Sequence, residues 1–105
     1  MTKLDEMWDA LEKHQFRADK RGHGESWAEM CRLRTEKACR DADYAAADDD
    51  DDAAGAAANA AGYAGYAEAA AASAAAESFF NVDYWTQAAI AHINHAIELA
   101  EKQND

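Results

Sequence analysis

Residues 42–78 constrain the fold more than any other part of the chain, because 20 of these 37 residues are alanine. Residues 53–76 contain no leucine, isoleucine, valine or proline. Alanine has the highest helix propensity, since it loses no side-chain entropy when the backbone becomes helical. An alanine helix carries a thin coat of side chains, so its stability depends on another backbone packing very close to it. The stretch therefore predicts a long helix with a close-packed neighbour.

Five consecutive aspartates, residues 48–52, interrupt the alanine-rich stretch. Their carboxylates repel one another, and aspartate is unfavourable inside a helix but favourable at its N-terminus. The aspartates therefore favour a break at 48–52, with Asp52 capping a helix over about 53–77. A single uninterrupted helix over 27–77 is the alternative.

Apolar residues recur at helical spacing in three further segments of the chain. These patterns predict helices over about 3–20, 26–47 and 82–102. Thr2 and Ser26 suit the N-caps of the first two helices, and Gly22 can take the left-handed conformation that ends the first. The predicted fold class is all-α: three or four antiparallel helices packed as a small bundle, in one domain over residues 1–105, with an Ala/Gly-rich close-packing helix.

The chain is acidic, with a formal charge of −11 at pH 7, and the charge is unevenly distributed. Residues 1–40 hold nine Lys or Arg against eight Asp or Glu, whereas residues 41–105 hold one against 13. Such asymmetry indicates an interaction surface rather than a requirement of the fold. It argues against general binding to nucleic acid or to anionic membranes, because both need a basic surface.

The candidate partner-binding residues combine carboxylates, which would steer association, with tyrosines, which would anchor the partner. They are Asp41, Asp43, Tyr44, Asp48, Asp49, Asp50, Asp51, Asp52, Tyr63 and Tyr66. The simpler interpretation of the acidic run is a solvated face. A basic cluster at the first turn contains Arg17, Lys20, Arg21 and His23. It matches a helix C-terminus, or it pairs with the acidic half of the same molecule or of a second copy.

His92, His95 and Glu98 lie at helical spacing and are the candidate metal ligands. The sequence supplies no evident further ligand, so an ordinary surface role is favoured and the prediction is no metal and no cofactor. The serines and the two cysteines occur in no catalytic motif, and no phosphate-binding loop is present. The chain is therefore predicted not to be an enzyme.

Cys31 and Cys39 lie on one predicted helix, about 12 Å apart along its axis, which is too far for a disulfide. Neither a signal peptide nor an apolar run of membrane-spanning length is visible in the sequence. These features predict a protein of a reducing cytoplasm.

In length, acidity, tryptophan content and segments such as DYAAAD (residues 43–48), the chain resembles small acidic Ala/Asp-rich accessory proteins of tailed bacteriophages. The resemblance implies a host-takeover or anti-defence role in the cytoplasm of a bacterial host. Proteins of this kind often bind and inhibit a host protein, some of them as DNA mimics. The near-neutral first 40 residues depart from a strong DNA mimic.

The leading hypothesis is a non-enzymatic acidic helical protein that binds and inhibits a host protein, with a basic nucleic-acid-binding surface of that host protein as one candidate contact. The alternative is a structural or assembly protein that homo-oligomerises through its Ala-rich helix. A metal-dependent hydrolase using His92 and His95 is the third hypothesis.

Overall fold

The alanine-rich stretch is helical in the computed structural model of the protein, which describes residues 2–48, 51–73 and 78–103. Six helices and no strand occur within these ranges. They are α1 (Lys3–Glu12), α2 (Gln15–Arg21), α3 (Gly24–Leu33), α4 (Glu36–Ala47), α5 (Asp52–Ser73) and α6 (Ser78–Lys102). The all-α class is confirmed, but the predicted count of three or four helices is wrong.

The first predicted helix, 3–20, is divided into α1 and α2 by Lys13 and His14. Its two ends are as predicted: Thr2 closes a capping box with Asp5, and Gly22 ends α2 in the left-handed conformation, with φ of 88°. The interruption has a tertiary cause, because it allows the His14 ring to be fully buried with its edge against Trp27, at a centroid distance of 4.9 Å.

The second predicted helix, 26–47, is divided into α3 and α4 at Arg34. Arg34 is left-handed, with φ of 54°, and its guanidinium donates to the carbonyl of Cys31 and to Glu12. Thr35 then caps α4 by accepting from the amide of Ala38 at 3.2 Å. The prediction of Ser26 as an N-cap is also wrong, because α3 already begins at Gly24.

The acidic stretch lies between α4, which ends at Ala47, and α5, which begins at Asp52. The uninterrupted helix over 27–77 is therefore wrong. Asp51, rather than Asp52, caps the start of α5, because its carboxylate accepts a hydrogen bond from the backbone amide of Ala53 at 3.0 Å. Helix α6 begins at Ser78, four residues before the predicted start, and the predicted end of α5 at 77 lies outside the described residues.

Helix α5 packs against α4 on one side and α6 on the other, and it also contacts α1. Residue pairs show that both main neighbours run antiparallel to it: Gly65 and Gly62 face Cys39 and Asp43, respectively. Tyr63 and Tyr66 likewise contact His92 and Trp85 of α6 in reverse order. Its buried alanines are Ala53, Ala54, Ala56, Ala57, Ala58, Ala60, Ala61, Ala64 and Ala67.

The burial of these nine alanines within the chain reduces the apolar surface that the assembly hypothesis requires, while Ala71 and Ala72 near the end of α5 stay exposed. Alanines of the two neighbouring helices are buried as well: Ala38, Ala42 and Ala46 from α4 and Ala89, Ala96 and Ala100 from α6. The methyl groups keep the three backbones close, as an alanine-rich helix needs.

The large buried side chains lie mainly in α1 and α3. They are Met7, Trp8, Leu11, Trp27 and Met30, joined by Ile93 of α6. Trp8 also ties α1 to α5, because its indole N–H donates to the carboxylate of Glu68 at 2.6 Å. The acid that interrupts the alanines of α5 therefore has an internal partner. None of the helices in the described ranges combines the length and apolar character that a membrane span requires.

Candidate functional site

A groove of about 180 Å³ lies on the surface between α4 and α5. It is lined by Glu36, Arg40, Asp43 and Tyr44 of α4 and by Gly62, Gly65 and Tyr66 of α5. Three of the predicted partner-binding residues, Asp43, Tyr44 and Tyr66, therefore meet at one place although they come from two separate segments.

The floor of the groove depends on the two glycines, which lie three residues apart and so share one face of α5. A Cβ at Gly65 would lie 3.1 Å from the Cβ of Cys39, so glycine here permits the close approach of α4. A Cβ at Gly62 would lie 2.9 Å from Oδ2 of Asp43. The Asp43 carboxylate therefore packs directly over Gly62, and a side chain at this position of α5 would displace it.

Asp43 differs from the other acids of α4 in having no hydrogen-bond or ion-pair partner among the residues that the structure describes. Glu36 pairs with Arg40 at 3.5 Å, and Asp41 pairs with Lys37 at 3.0 Å, each one helical turn apart. Asp43 is also half-buried, and burial raises the pKa of its carboxyl above the usual value. The groove thus offers one desolvated carboxylate whose charge is not balanced.

Tyr44 and Tyr66 flank the groove and present large aromatic faces to solvent, with 65% and 54% of their surface exposed. Tyr66 is held from behind by Trp85 of α6, at a ring-centroid distance of 4.9 Å. An aromatic side chain that is fixed on one side and exposed on the other loses little entropy on binding, which suits it as an anchor.

Tyr63 lies deeper than Tyr44 and Tyr66 and joins α5 to α6. Its ring stacks on Trp85 at 5.4 Å and contacts His92 at 4.8 Å. Tyr84 extends the same aromatic surface and is exposed, with its ring edge-on to Trp85 at 4.7 Å. Trp85 and His92 lie seven residues apart and so share one face of α6, but the link from this face to Tyr66 depends on the packing of α5 against α6.

The five aspartates of the acidic run do not behave alike. Asp48 and Asp52 are exposed at the facing ends of α4 and α5, and Asp49 and Asp50 lie outside the described residues. Asp51 has partners within the molecule. Its carboxylate pairs with Arg21 of α2 and accepts a hydrogen bond from the side-chain amide of Gln103 at 2.8 Å. The basic cluster therefore does pair with the acidic half of the chain, and Arg17 adds a longer contact of 3.8 Å to Glu101.

The Arg21–Asp51 pair predicts a pH-dependent contribution to stability. Burial disfavours the charged carboxylate, but the hydrogen bonds from Arg21, Gln103 and the Ala53 amide outweigh it and lower the pKa of Asp51. Asp51→Asn is expected to reduce the free energy of unfolding at neutral pH by about 1.5 kcal/mol, the scale of a hydrogen bond to a charged group.

The sign of the pH effect follows from the lowered pKa of Asp51. Its stabilisation is fully present above the unfolded pKa of about 3.9 and is lost as the pH falls through the folded value. The free energies of unfolding of wild type and Asp51→Asn, measured in urea, should thus converge as the pH falls below about 4. Asp52→Asn removes the same charge from an exposed neighbour and serves as control; an equal loss there would contradict the internal role of Asp51.

The candidate metal ligands do not converge. His92 places Nδ1 at 2.8 Å from the carbonyl oxygen of Ala88 and packs its ring on Tyr63, while His95 lies 3.9 Å from Glu98 on the exposed side of α6. No group of three or more His, Cys, Asp or Glu suited to a metal ion occurs within the part of the chain that the structure describes.

The two cysteines lie on different helices, Cys31 on α3 and Cys39 on α4, so the axial spacing predicted for one helix does not apply. Both are free thiols. Burial, reinforced by Glu12 at one thiol and by Glu68 at the other, raises the pKa of each to about 12. Both thiols are therefore protonated at neutral pH, a state in which a thiol is a poor nucleophile.

No known protein family, curated protein or solved structure matches this chain.

Proposed function

We propose that this protein is a non-enzymatic acidic helical protein that binds and inhibits a host protein by occupying a basic surface, with the groove between α4 and α5 as its contact. The observation that carries this proposal is the convergence of Asp43, Tyr44 and Tyr66 on one exposed groove. Aromatic residues are enriched at the energetic centres of interfaces and complementary charge steers association, and the groove combines both.

The charge distribution supports a basic partner. Residues 41–105 are strongly acidic, and the paired acids on α4 leave Asp43 as the carboxylate available to a cation. A host surface that ordinarily binds nucleic acid would have the complementary sign. The resemblance to accessory proteins of tailed bacteriophages makes bacterial proteins the first candidates, and blocking such a surface would be the mechanism of inhibition.

The geometry supports this proposal over assembly through the Ala-rich helix. Nine alanines of α5 between Ala53 and Ala67, which would form most of the contact between copies, are buried within the same chain, where α5 packs against α4 and α6. The exposed residues of α5 include Asp52, Asn59 and Tyr66 as well as Ala71 and Ala72.

The test is a tagged pull-down from bacterial lysate, washed at low and at high salt, with wild type and two variants. The double variant Tyr44→Ala, Tyr66→Ala removes both anchors. Phe16→Ala removes an exposed aromatic side chain of α2, outside the groove. We expect a partner that wild type and Phe16→Ala retain at low salt, that high salt releases, and that the double variant fails to capture.

Two results would contradict the proposal. If the partner stays bound at high salt and also binds the double variant, the proposed electrostatic and aromatic contact is excluded. Recovery of only the protein itself, with sedimentation showing oligomers, would favour assembly. Once the partner is identified, the protein is expected to displace nucleic acid from it if the shared surface is a nucleic-acid site.

A further inference from the structure

We propose that the groove between α4 and α5 receives a single arginine side chain of the bound protein, with its guanidinium on Asp43 and beside the rings of Tyr44 and Tyr66. This inference rests on the proposed function and names the chemistry that the groove recognises.

The size of the groove favours one side chain over a small-molecule ligand. Pockets for drug-sized ligands have volumes of about 300–1,000 Å³, whereas this groove has about 180 Å³. Gly62 allows the Asp43 carboxylate to lie directly over the backbone of α5, because a Cβ there would be only 2.9 Å from Oδ2. The carboxylate is therefore part of the lining of a groove whose size suits one side chain.

The charge of the groove favours a cation. Its lining holds two acids and one base, and the Glu36–Arg40 pair leaves the Asp43 carboxylate without a partner among the described residues. Because burial has already removed part of the water from Asp43, a bound cation would restore stabilisation to the ionised form. Charge-assisted hydrogen bonds of this kind are about twice as strong as neutral ones.

The tyrosines favour arginine over lysine. Guanidinium is planar, stacks on aromatic rings, and binds carboxylates through two parallel hydrogen bonds, whereas a lysine ammonium is a compact and strongly hydrated charge. The protein itself uses this combination elsewhere: Arg34 lies over the Trp8 ring at 5.4 Å and donates to Glu12 at 2.9 Å. The groove offers the same two groups, an aromatic face and a carboxylate, without an arginine on Asp43.

The test titrates ¹⁵N-labelled full-length protein with a hexa-arginine peptide and follows the glycine amide signals. We expect Gly62 and Gly65 to shift on binding, while Gly22 and Gly24 at the α2–α3 turn do not. A hexa-lysine peptide is expected to bind about tenfold more weakly, because it can neither stack nor form the paired hydrogen bonds.

Matched variants separate the groove from general electrostatics. Asp43→Asn should weaken hexa-arginine binding about tenfold, whereas Asp41→Asn removes the same charge from an acid that is paired with Lys37 and should change it less than about twofold. Gly62→Ala should also weaken binding, because its methyl group displaces the Asp43 carboxylate while alanine favours the helix.

The outcomes distinguish this inference from the proposed function. Equal weakening by Asp41→Asn and Asp43→Asn, or equal affinity for the lysine peptide, would overturn the arginine site. Shifts at Gly22 and Gly24 instead of Gly62 and Gly65 would do the same. In each case a salt-released partner that needs Tyr44 and Tyr66 would still support the proposed function, whereas failure to retain such a partner would overturn that function itself.

Discussion

Trp27→Ala is expected to lower the free energy of unfolding by about 3–5 kcal/mol, the range for removing a buried aromatic side chain. Trp27 is fully buried, and its indole N–H donates to the carbonyl of Leu11 at 2.9 Å. Its ring also meets the edge of His14 at 4.9 Å and of His23 at 6.2 Å. One side chain thereby joins the end of α1, both ends of α2 and the start of α3.

The loss should be severe because this chain has few other large buried groups. Much of the core between α4, α5 and α6 consists of alanine, and each buried methyl group contributes little apolar area. A loss of about 3–5 kcal/mol is a large part of the about 5–15 kcal/mol that a typical domain has. Removing Trp27 would therefore leave the α1–α3 region close to unfolding.

Urea unfolding followed by circular dichroism measures this effect. Trp27→Phe is the matched control: it keeps an aromatic ring and loses the indole N–H, so it should cost less than the alanine variant. A loss below about 1 kcal/mol for Trp27→Ala would show that the packing of α1, α2 and α3 does not depend on this residue.

The local features of the fold could be predicted from short stretches of sequence. Alanine propensity identified the helix that became α5, and the end signals at Thr2 and Gly22 are those the structure uses. These features depend on neighbours within a few residues, and such neighbours are visible in a sequence.

The two unexpected interruptions show why the helix count was wrong. The break at His14 depends on burial of its ring against Trp27, which no local pattern reveals. The break at Arg34 had a local signal, because Thr35 followed by Glu36 suits a helix start. The apolar face shared by Trp27 and Cys31 favoured an uninterrupted helix, but the contacts of Arg34 with Glu12 and Trp8 stabilise the break.

The candidate site was predictable as residue types but not as a place. Exposed acids and tyrosines near residues 41–66 were visible in the sequence, whereas their convergence requires α4 to lie antiparallel against the glycine face of α5. The spacing of Gly62 and Gly65, next to Tyr66, was the signal that would have located the groove. Conversely, the internal role of Asp51 depends on Arg21, which lies 30 residues away in sequence.

Gly24→Ala is expected to lower the free energy of unfolding by about 2–3 kcal/mol, the cost of forcing an extra group into a packed site. A Cβ at this position would lie 1.9 Å from Oδ1 of Asp19 and 2.7 Å from its Cα. The carboxylate can rotate away, but the backbone of α2 cannot move without opening the turn to α3. That movement would also strain the hydrogen bond that the side-chain amide of Gln15 donates to the Gly24 carbonyl at 2.9 Å.

Gly55→Ala is the matched control, because it makes the same change in another helix at a position with no atom within 4 Å of the new Cβ. Alanine is favoured over glycine in a helix by up to about 1 kcal/mol, so this variant should be more stable than wild type. The two substitutions should therefore shift the urea midpoint in opposite directions. A stabilising Gly24→Ala would contradict the close approach of α2 and α3, and with it the arrangement that buries Trp27 beneath the turn. Destabilisation by Gly24→Ala alone would show that helix packing, rather than helix propensity, decides where this alanine-rich chain needs a glycine.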